Sequence, residues 1–519
     1  MLFSSYQFVY FFLPAFLICF LLALRFSSRS NLEWVILCFS GLFYSIYSLE
    51  YTFILAFSIG ANFYLALFIS QRARSSAKSL LTIGVALNLL SIAYFKYANF
   101  FLDNIRFVIE GLPVLEILLP LGISFFTFQQ IAYLVDVYKH GAAESNIKRY
   151  AIFVSFFPQL VAGPIVHHKT FLSQLRQNFS DKWNLNYLFC GLSIFFIGLF
   201  KKVVIADSLS NLSDIVFTAA DAGNTMVFIE SWIGAFSYAF QIYFDFSGYS
   251  DMAIGMALAI GLWLPINFNS PYKAVSIIDF WRRWHITLSS FLKDYVYIPL
   301  GGNRLGSFVR FRNLMIVMLV GGLWHGAGWT FVVWGGLHGL FLTVNHIWRK
   351  TRFKHYRSNY IYIALSWMLT MLSVVIAWVF FRAETFSGAL DMVRSMFLLS
   401  QDYKVIIPYS VDHLIAADSA LKSFFTPGLI MQNLYILDGY WVYAKVAVIL
   451  CLLLVICLPN TLQIFARFFN EKLGGDPYGL SKSYFSWSMN AIWGLLLGLF
   501  IVMSLVMLSE TTEFIYFEF

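Results

Sequence analysis

The stretch Asn313-Leu-Met-Ile-Val-Met-Leu-Val320-Gly-Gly-Leu-Trp-His325-Gly-Ala-Gly-Trp-Thr330-Phe-Val-Val-Trp-Gly335-Gly-Leu-His338-Gly-Leu340-Phe-Leu-Thr-Val-Asn345 decides the architecture. It contains no Asp, Glu, Lys or Arg, and both flanks are basic. On one side, 273–312 carries Lys273, Arg282, Arg283, Lys293, Arg304, Arg310 and Arg312 against Asp279 and Asp294. On the other stand Arg349, Lys350, Arg352, Lys354 and Arg357. Basic loops stay on the cytoplasmic side of a membrane. The apolar stretch between them therefore enters the bilayer and returns. Its 33 residues are short for two full spans of about 20 residues each. The expectation is a pair of helices broken at Gly321-Gly-Leu-Trp-His-Gly-Ala-Gly-Trp329, with His325 near mid-bilayer where glycines admit close approach of backbone and substrate.

The rest of the chain agrees. Its 519 residues are 60% apolar and 12% charged, with mean hydropathy +0.72, whereas soluble domains carry roughly 25% charged residues. A water-soluble enzyme is excluded, and the 57 Phe, 29 Tyr and 15 Trp exclude a disordered chain. Apolar runs lie near 7–24, 32–48, 50–70, 79–98, 118–138, 186–200, 226–246, 250–266, 313–345, 360–381, 440–458 and 486–508. In lipid these read as helices, giving an all-α polytopic membrane protein of roughly 11–13 segments in one integral-membrane domain, 1–519. The run 151–166 is interrupted by Pro158, Gly163 and Pro164 and reads as re-entrant. Arg25, Arg29, Arg72, Arg74 and Lys78 mark further cytoplasmic loops. The segment 382–439, with six acids against four bases, is expected on the extracytoplasmic side.

The net charge of +8 belongs to a lipid-facing basic rim and not to nucleic-acid binding. Cys19, Cys38, Cys190, Cys451 and Cys457 lie in apolar stretches without zinc or redox spacing and read as small hydrophobes. Residues 1–24 lack the basic start of a cleavable signal.

Nine histidines are the main candidates for chemistry. His140, His346, His355 and His413 read as solvated. His338 reads as a hydrogen-bonded packing residue, and the pair His167-His168 as structural or cavity-lining. His285 follows Trp281-Arg-Arg-Trp284, an interfacial pattern whose simplest reading is a snorkelling side chain. His325 is the sharpest candidate, because an ionisable group inside a membrane is costly and imidazole suits general-base work near neutral pH. A neutral core histidine bonded to a carbonyl is the competing reading. Asp245 and Asp251 flank Gly248, which suggests a break between two helices, each carboxylate capping a half-helix or pairing with Arg282 or Arg283. Asn267–Tyr272 and Gly301–Arg304 read as turns. Walker, nucleophile-elbow and zincin motifs are absent, and no two histidines have metal-ligand spacing on one helix face, so no metal is expected. At this level a transporter with a midplane histidine fits as well as an enzyme.

The motifs themselves carry a resemblance. Phe240-Gln-Ile-Tyr-Phe-Asp-Phe-Ser-Gly-Tyr-Ser-Asp-Met-Ala-Ile-Gly255, Asn267-Phe-Asn-Ser-Pro-Tyr272, Phe280-Trp-Arg-Arg-Trp-His-Ile-Thr-Leu-Ser289 and Gly322-Leu-Trp-His-Gly-Ala-Gly-Trp329 resemble the membrane-bound O-acyltransferases (MBOAT). They resemble in particular the bacterial subfamily containing the membrane subunit of alginate O-acetyltransferase. Pro120–Phe128, Phe156–Pro164, Trp378–Ala383, Leu458–Asn460 and Glu513–Phe519 match the same group, although Glu518 stands where glutamine is common.

This resemblance implies a ring of helices around a central funnel, with the family's histidine at His325 and its second polar residue at His285. It implies transfer of an acetyl group from a cytoplasmic thioester, acetyl-CoA or a carrier-protein thioester, with no bound cofactor. The acceptor side implies an exopolysaccharide such as alginate, periplasmic O-acetylation proteins as partners, and a bacterial inner membrane. D-alanyl transfer to teichoic acid, peptidoglycan O-acetylation and a non-enzymatic transporter are the alternatives.

Overall fold

The computed structural model describes the chain apart from residues 27–28, 107, 110, 178–182, 225, 351–358, 399–436, 474, 477, 481–482, 484, 509–514 and 516–519. The described residues form helices and connecting turns, with no strand among them. Seven helical stretches are long and apolar enough to cross a membrane: Gln7–Phe26, Leu49–Gln71, Arg74–Arg106, Leu185–Asp221, Gly306–His325, Tyr360–Arg382 and Trp441–Lys472. Ala491–Met507 is apolar but shorter. The protein is all-α and multi-pass, since lipid leaves backbone groups no partner except those within a helix. Of the acidic segment 382–439, a helix at Phe386–Met396 is described, and 399–436 lie outside the described residues.

Two compact units divide the chain, one built on Met1–Phe195 and Tyr249–Ile266, the other on Phe196–Gly248 and Asn267–Ile515. The first is cored by phenylalanines. Phe157 meets Phe12 at 5.3 Å and Phe16 at 5.0 Å between ring centroids, both edge-on, and Phe43 packs on the same ring at 5.7 Å. Edge-to-face pairs of this kind add about 0.5–1.5 kcal/mol each to the burial term. Phe157 opens a four-residue helical turn, Phe157–Leu160, between the helix Ile147–Ser155 and the helix His168–Arg176. The segment 151–166 is thus broken into short pieces, as its prolines and glycine require.

The second unit contains the hairpin. Its arms are Gly306–His325 and Trp329–Trp348, and the break falls on Gly326-Ala-Gly328 as the sequence predicts. The arms are longer than charge placement suggests. Each has 20 residues, about 30 Å at 1.5 Å per residue, although only the first arm is apolar enough to count among the seven candidate spans. Arg310 and Arg312 belong to the first helix and do not precede it, and His346 lies in the last turn of the second and not in a loop. Arginine tolerates that position because its stem lies along apolar surface while its head leaves it. Asn313 anchors the entry, donating through Nδ2 to the carbonyls of Leu300 and Gly302 at 3.0 Å each. The arms close tightly because glycines face backbone. A Cβ at Gly322 would stand 2.3 Å from the Phe331 carbonyl oxygen, and one at Gly335 equally near that of Met318.

The expected break at Gly248 is absent: Phe228–Ala259 is one continuous helix of 32 residues. A glycine inside a helix costs only about 1 kcal/mol. Here it admits a neighbour, since a Cβ at Gly248 would lie 2.7 Å from the Gly198 carbonyl oxygen. Asp245 is paired neither with Arg282 nor with Arg283. Its Oδ1 lies 3.1 Å from Lys202 Nζ, and its Oδ2 accepts the Ile515 N–H at 3.0 Å. Lys202 also holds Asp207 at 2.7 Å. Arg283 instead pairs with Asp279, one helical turn away, at 3.0 Å.

Candidate active site

His325 is the last residue of the first hairpin arm and is 3% exposed. Aromatic rings wall it in. Trp324 lies at 4.9 Å, Trp334 at 5.1 Å and Phe381 at 5.2 Å between centroids, each close to edge-on. Trp334 comes from the returning arm and Phe381 from the helix Tyr360–Arg382. The hairpin break therefore ends a helix on an imidazole inside a ring of apolar surface that excludes water.

His285 faces it across 6.3 Å between ring centroids. It is fully buried, which sets aside the snorkelling reading. Two observations single it out. Its backbone is left-handed, φ 41° and ψ 55°, a conformation that branched or bulky residues adopt only where the surroundings enforce it. Both of its ring nitrogens are buried and find no hydrogen-bond partner among the described residues. A buried polar group left so costs about 1–3 kcal/mol, and two on one imidazole call for an explanation.

The turn that the sequence shows at Asn267–Tyr272 is what enforces the His285 conformation. The Asn267 carbonyl accepts the Ile286 N–H at 3.0 Å. Its side-chain Oδ1 accepts the Thr287 hydroxyl at 2.6 Å and the Thr287 N–H at 3.4 Å. Asn269 N–H donates to the Arg283 carbonyl at 2.9 Å, and the Arg283 guanidinium returns a bond to the Asn269 carbonyl at 3.3 Å. His285 is thus held from both sides by a second strand of irregular backbone, itself fixed from below. Asn460 donates to the Phe268 carbonyl at 2.6 Å, and Tyr272 hydroxyl donates to the Ala239 carbonyl. Phe246 closes the chamber edge-on to His285 at 4.8 Å.

The other histidines divide as follows. His338 takes the packing role expected of it, accepting the Trp281 indole N–H at Nδ1 over 3.2 Å. His140 ends the helix Ile123–His140. His355 and His413 lie outside the described residues. His167 and His168 sit together in the first unit with Asp136. Sequence reasoning passed over Lys202 altogether. The signal was available, since Lys201-Lys202 interrupts an apolar stretch long enough to span a membrane. The walls supplied by Phe246, Trp334 and Phe381 carried no signal, because aromatic residues are common throughout the chain.

An imidazole held rigidly beside a second, unpartnered imidazole in a dry aromatic chamber can move a proton at a reacting atom placed between them. Comparison with known proteins gives the family of the chain. The membrane-bound O-acyltransferase family, MBOAT, matches residues 142–383, a range that contains both histidines. A peptidoglycan O-acetyltransferase of Helicobacter pylori is 40% identical over 498 residues, covering 90% of this chain and 90% of the relative. A probable alginate O-acetylase AlgI of Azotobacter vinelandii is 41% identical over 408 residues, 76% of this chain and 78% of the relative. A teichoic acid D-alanyltransferase of Bacillus subtilis is 26% identical over 281 residues, 52% of this chain and 68% of the relative. Likeness of this depth, over nearly the whole length of two chains, means that the protein belongs to the membrane-bound O-acyltransferase family and is an acyltransferase of the membrane.

Proposed function

We propose that the chain moves an acetyl group from a cytoplasmic thioester donor, acetyl-CoA or a carrier-protein thioester, toward a hydroxyl of an extracytoplasmic polysaccharide in a bacterial inner membrane. The observation that carries this reading is His285, fully buried with two unpartnered ring nitrogens, 6.3 Å from His325 in a chain whose relatives bear the names of O-acetyl transfer. A small group between the rings can reach both imidazoles by hydrogen bonds of about 2.6–3.2 Å.

In the reaction, His325 takes the proton of the attacking hydroxyl while its oxygen bonds to the thioester carbonyl carbon. The carbon–sulfur bond then breaks, and the proton held by His325 passes to the departing sulfur, which leaves as a thiol. His285 orients the donor by hydrogen bonding to its carbonyl. The walls of Trp324, Trp334 and Phe381 keep water from hydrolysing the thioester. Separate periplasmic O-acetylation proteins carry the group onward where the final acceptor is a polymer.

The positioning role of Asn267 gives a graded test. Asn267→Ala removes the acceptor of the Thr287 hydroxyl and N–H. It is expected to lower kcat by about 10–100-fold, because displacing a catalytic group by about 1 Å has effects of that size. KM for the thioester and the amount of protein in the membrane stay near wild type. A fall in membrane level that accounts for the lost activity contradicts the assignment.

The acceptor is an exopolysaccharide of the alginate kind. A second reading, peptidoglycan, is favoured by one observation: similarity to the Helicobacter pylori protein extends over 498 residues, against 408 for the AlgI relative. Deleting the gene and measuring base-released acetate separately on purified peptidoglycan and on secreted polysaccharide decides between them. Loss from the secreted polymer alone supports the first, loss from peptidoglycan alone the second. Unchanged acetate on both overturns the proposed transfer.

A further inference from the structure

In the first unit, Asp136, His167 and His168 come together. His167 Nε2 lies 2.8 Å and His168 Nδ1 3.6 Å from the same carboxylate oxygen, Asp136 Oδ2, and the three donor atoms all lie within 4.8 Å of one another. Asp136 belongs to the last turns of the helix Ile123–His140. His167 precedes and His168 opens the helix His168–Arg176. The expectation of no metal rested on spacing along single helix faces, whereas here the donors come from two elements.

The geometry points to a three-ligand site for a zinc-type divalent transition ion, made by Asp136, His167 and His168, with a fourth position left to water. Zinc takes imidazole nitrogen at about 2.0–2.1 Å and carboxylate oxygen at about 2.0–2.2 Å in a tetrahedron, which sets neighbouring donors about 3.4 Å apart. The two nitrogen–oxygen distances bracket that value. Imidazole with carboxylate is a donor set that suits zinc and its neighbours rather than magnesium or calcium. Asp136 and His168 are buried, while the His167 side chain is 45% exposed, so the ion has both a shielded seat and an entrance. The rings of Tyr133, at 5.1 Å and edge-on, and Phe153, at 6.4 Å, hold the His168 imidazole in place. Two contacts are given up: the proton that His167 Nε2 shares with Asp136 Oδ2 at 2.8 Å moves to Nδ1 when the metal takes Nε2, and Nδ1 then no longer accepts the Lys169 N–H, held over a long 3.4 Å.

Such an ion ties the C-terminal end of the broken segment 151–166 to the helix Ile123–His140. The test uses the untagged full chain in detergent, stripped with chelator and titrated with cobalt(II), then with zinc(II). The expected result is one equivalent of cobalt bound with the visible absorption of a tetrahedral site, displaced by zinc, and a rise in the thermal midpoint on adding zinc. Asp136→Asn and His167→Ala should each weaken binding more than about 100-fold, beyond what outer-shell changes do. Both variants should melt, without metal, where the stripped wild type melts. The half-exposed His167 makes its variant the safer one for folding. Cobalt uptake by the wild type no greater than by the two variants, whether nil or substantial, overturns the site.

Discussion

His325→Ala is expected to lower acetyl transfer by about 10²–10⁴-fold, the range over which a positioned general base acts, with unchanged protein in the membrane. The reasons are geometric. His325 terminates a helix, is 3% exposed, and is fixed by three aromatic rings at 4.9–5.2 Å, so no neighbouring side chain can swing in to replace it. Alanine leaves a hole lined by Trp324, Trp334 and Phe381, and some stability is lost with the ring. His325→Gln controls for that, since it keeps most of the volume and a hydrogen-bonding group but cannot take a proton. Both variants should lose kcat while KM for the thioester changes little, because the imidazole acts as the carbon–oxygen bond forms. Wild-type kcat in either one, with normal membrane level, removes the general base from the mechanism.

The second large effect is on stability. Lys202→Met is expected to cost about 3–5 kcal/mol, the usual result of removing one partner from a buried ion pair. Lys202 stands between Asp207 at 2.7 Å and Asp245 at 3.1 Å, and all three side chains are largely removed from solvent. Methionine fits the space of the lysine stem but takes away the ammonium that both carboxylates share. The loss should appear as a lower thermal midpoint in detergent and a smaller amount of protein in the membrane. Lys202→Met combined with Asp245→Asn should recover part of it by removing one of the two charges. A double variant less stable than wild type by the sum of the losses of Lys202→Met and Asp245→Asn measured singly means the pair is not coupled. Asp245 also accepts the Ile515 N–H, so this network fastens Ile515 to the continuous helix Phe228–Ala259.

How far the sequence reaches depends on the kind of signal. The hairpin break was legible because Gly321-Gly-Leu-Trp-His-Gly-Ala-Gly is a run in which helix propensity collapses between two uncharged stretches. The lengths of the arms were not, since Arg310 and Arg312 look like loop residues although their stems allow them inside a helix. Gly248 was misleading for a related reason. A glycine between two aspartates suggests a break, but its use here is the close approach of Gly198, a contact 50 residues away in sequence. His325 stands out by its flanking glycines within an uncharged stretch. His285 drew attention only by its place in Trp-Arg-Arg-Trp-His, and its burial, left-handed backbone and unpartnered nitrogens are properties of the folded chain. Asp136 with His167 and His168 could not be seen from periodicity, because that test examines one helix at a time.

If the two imidazoles of the chamber act as a unit, a double-mutant cycle on the transfer rate shows it directly. His285→Ala, His325→Ala and the double variant are compared with wild type in membranes of matched content, using an acetyl-labelled thioester and counting label delivered to glycan. Groups that act together are strongly non-additive. The predicted result is a double variant no slower than His325→Ala alone. Losses that multiply, or a His325→Ala variant as fast as wild type, contradict the central claim.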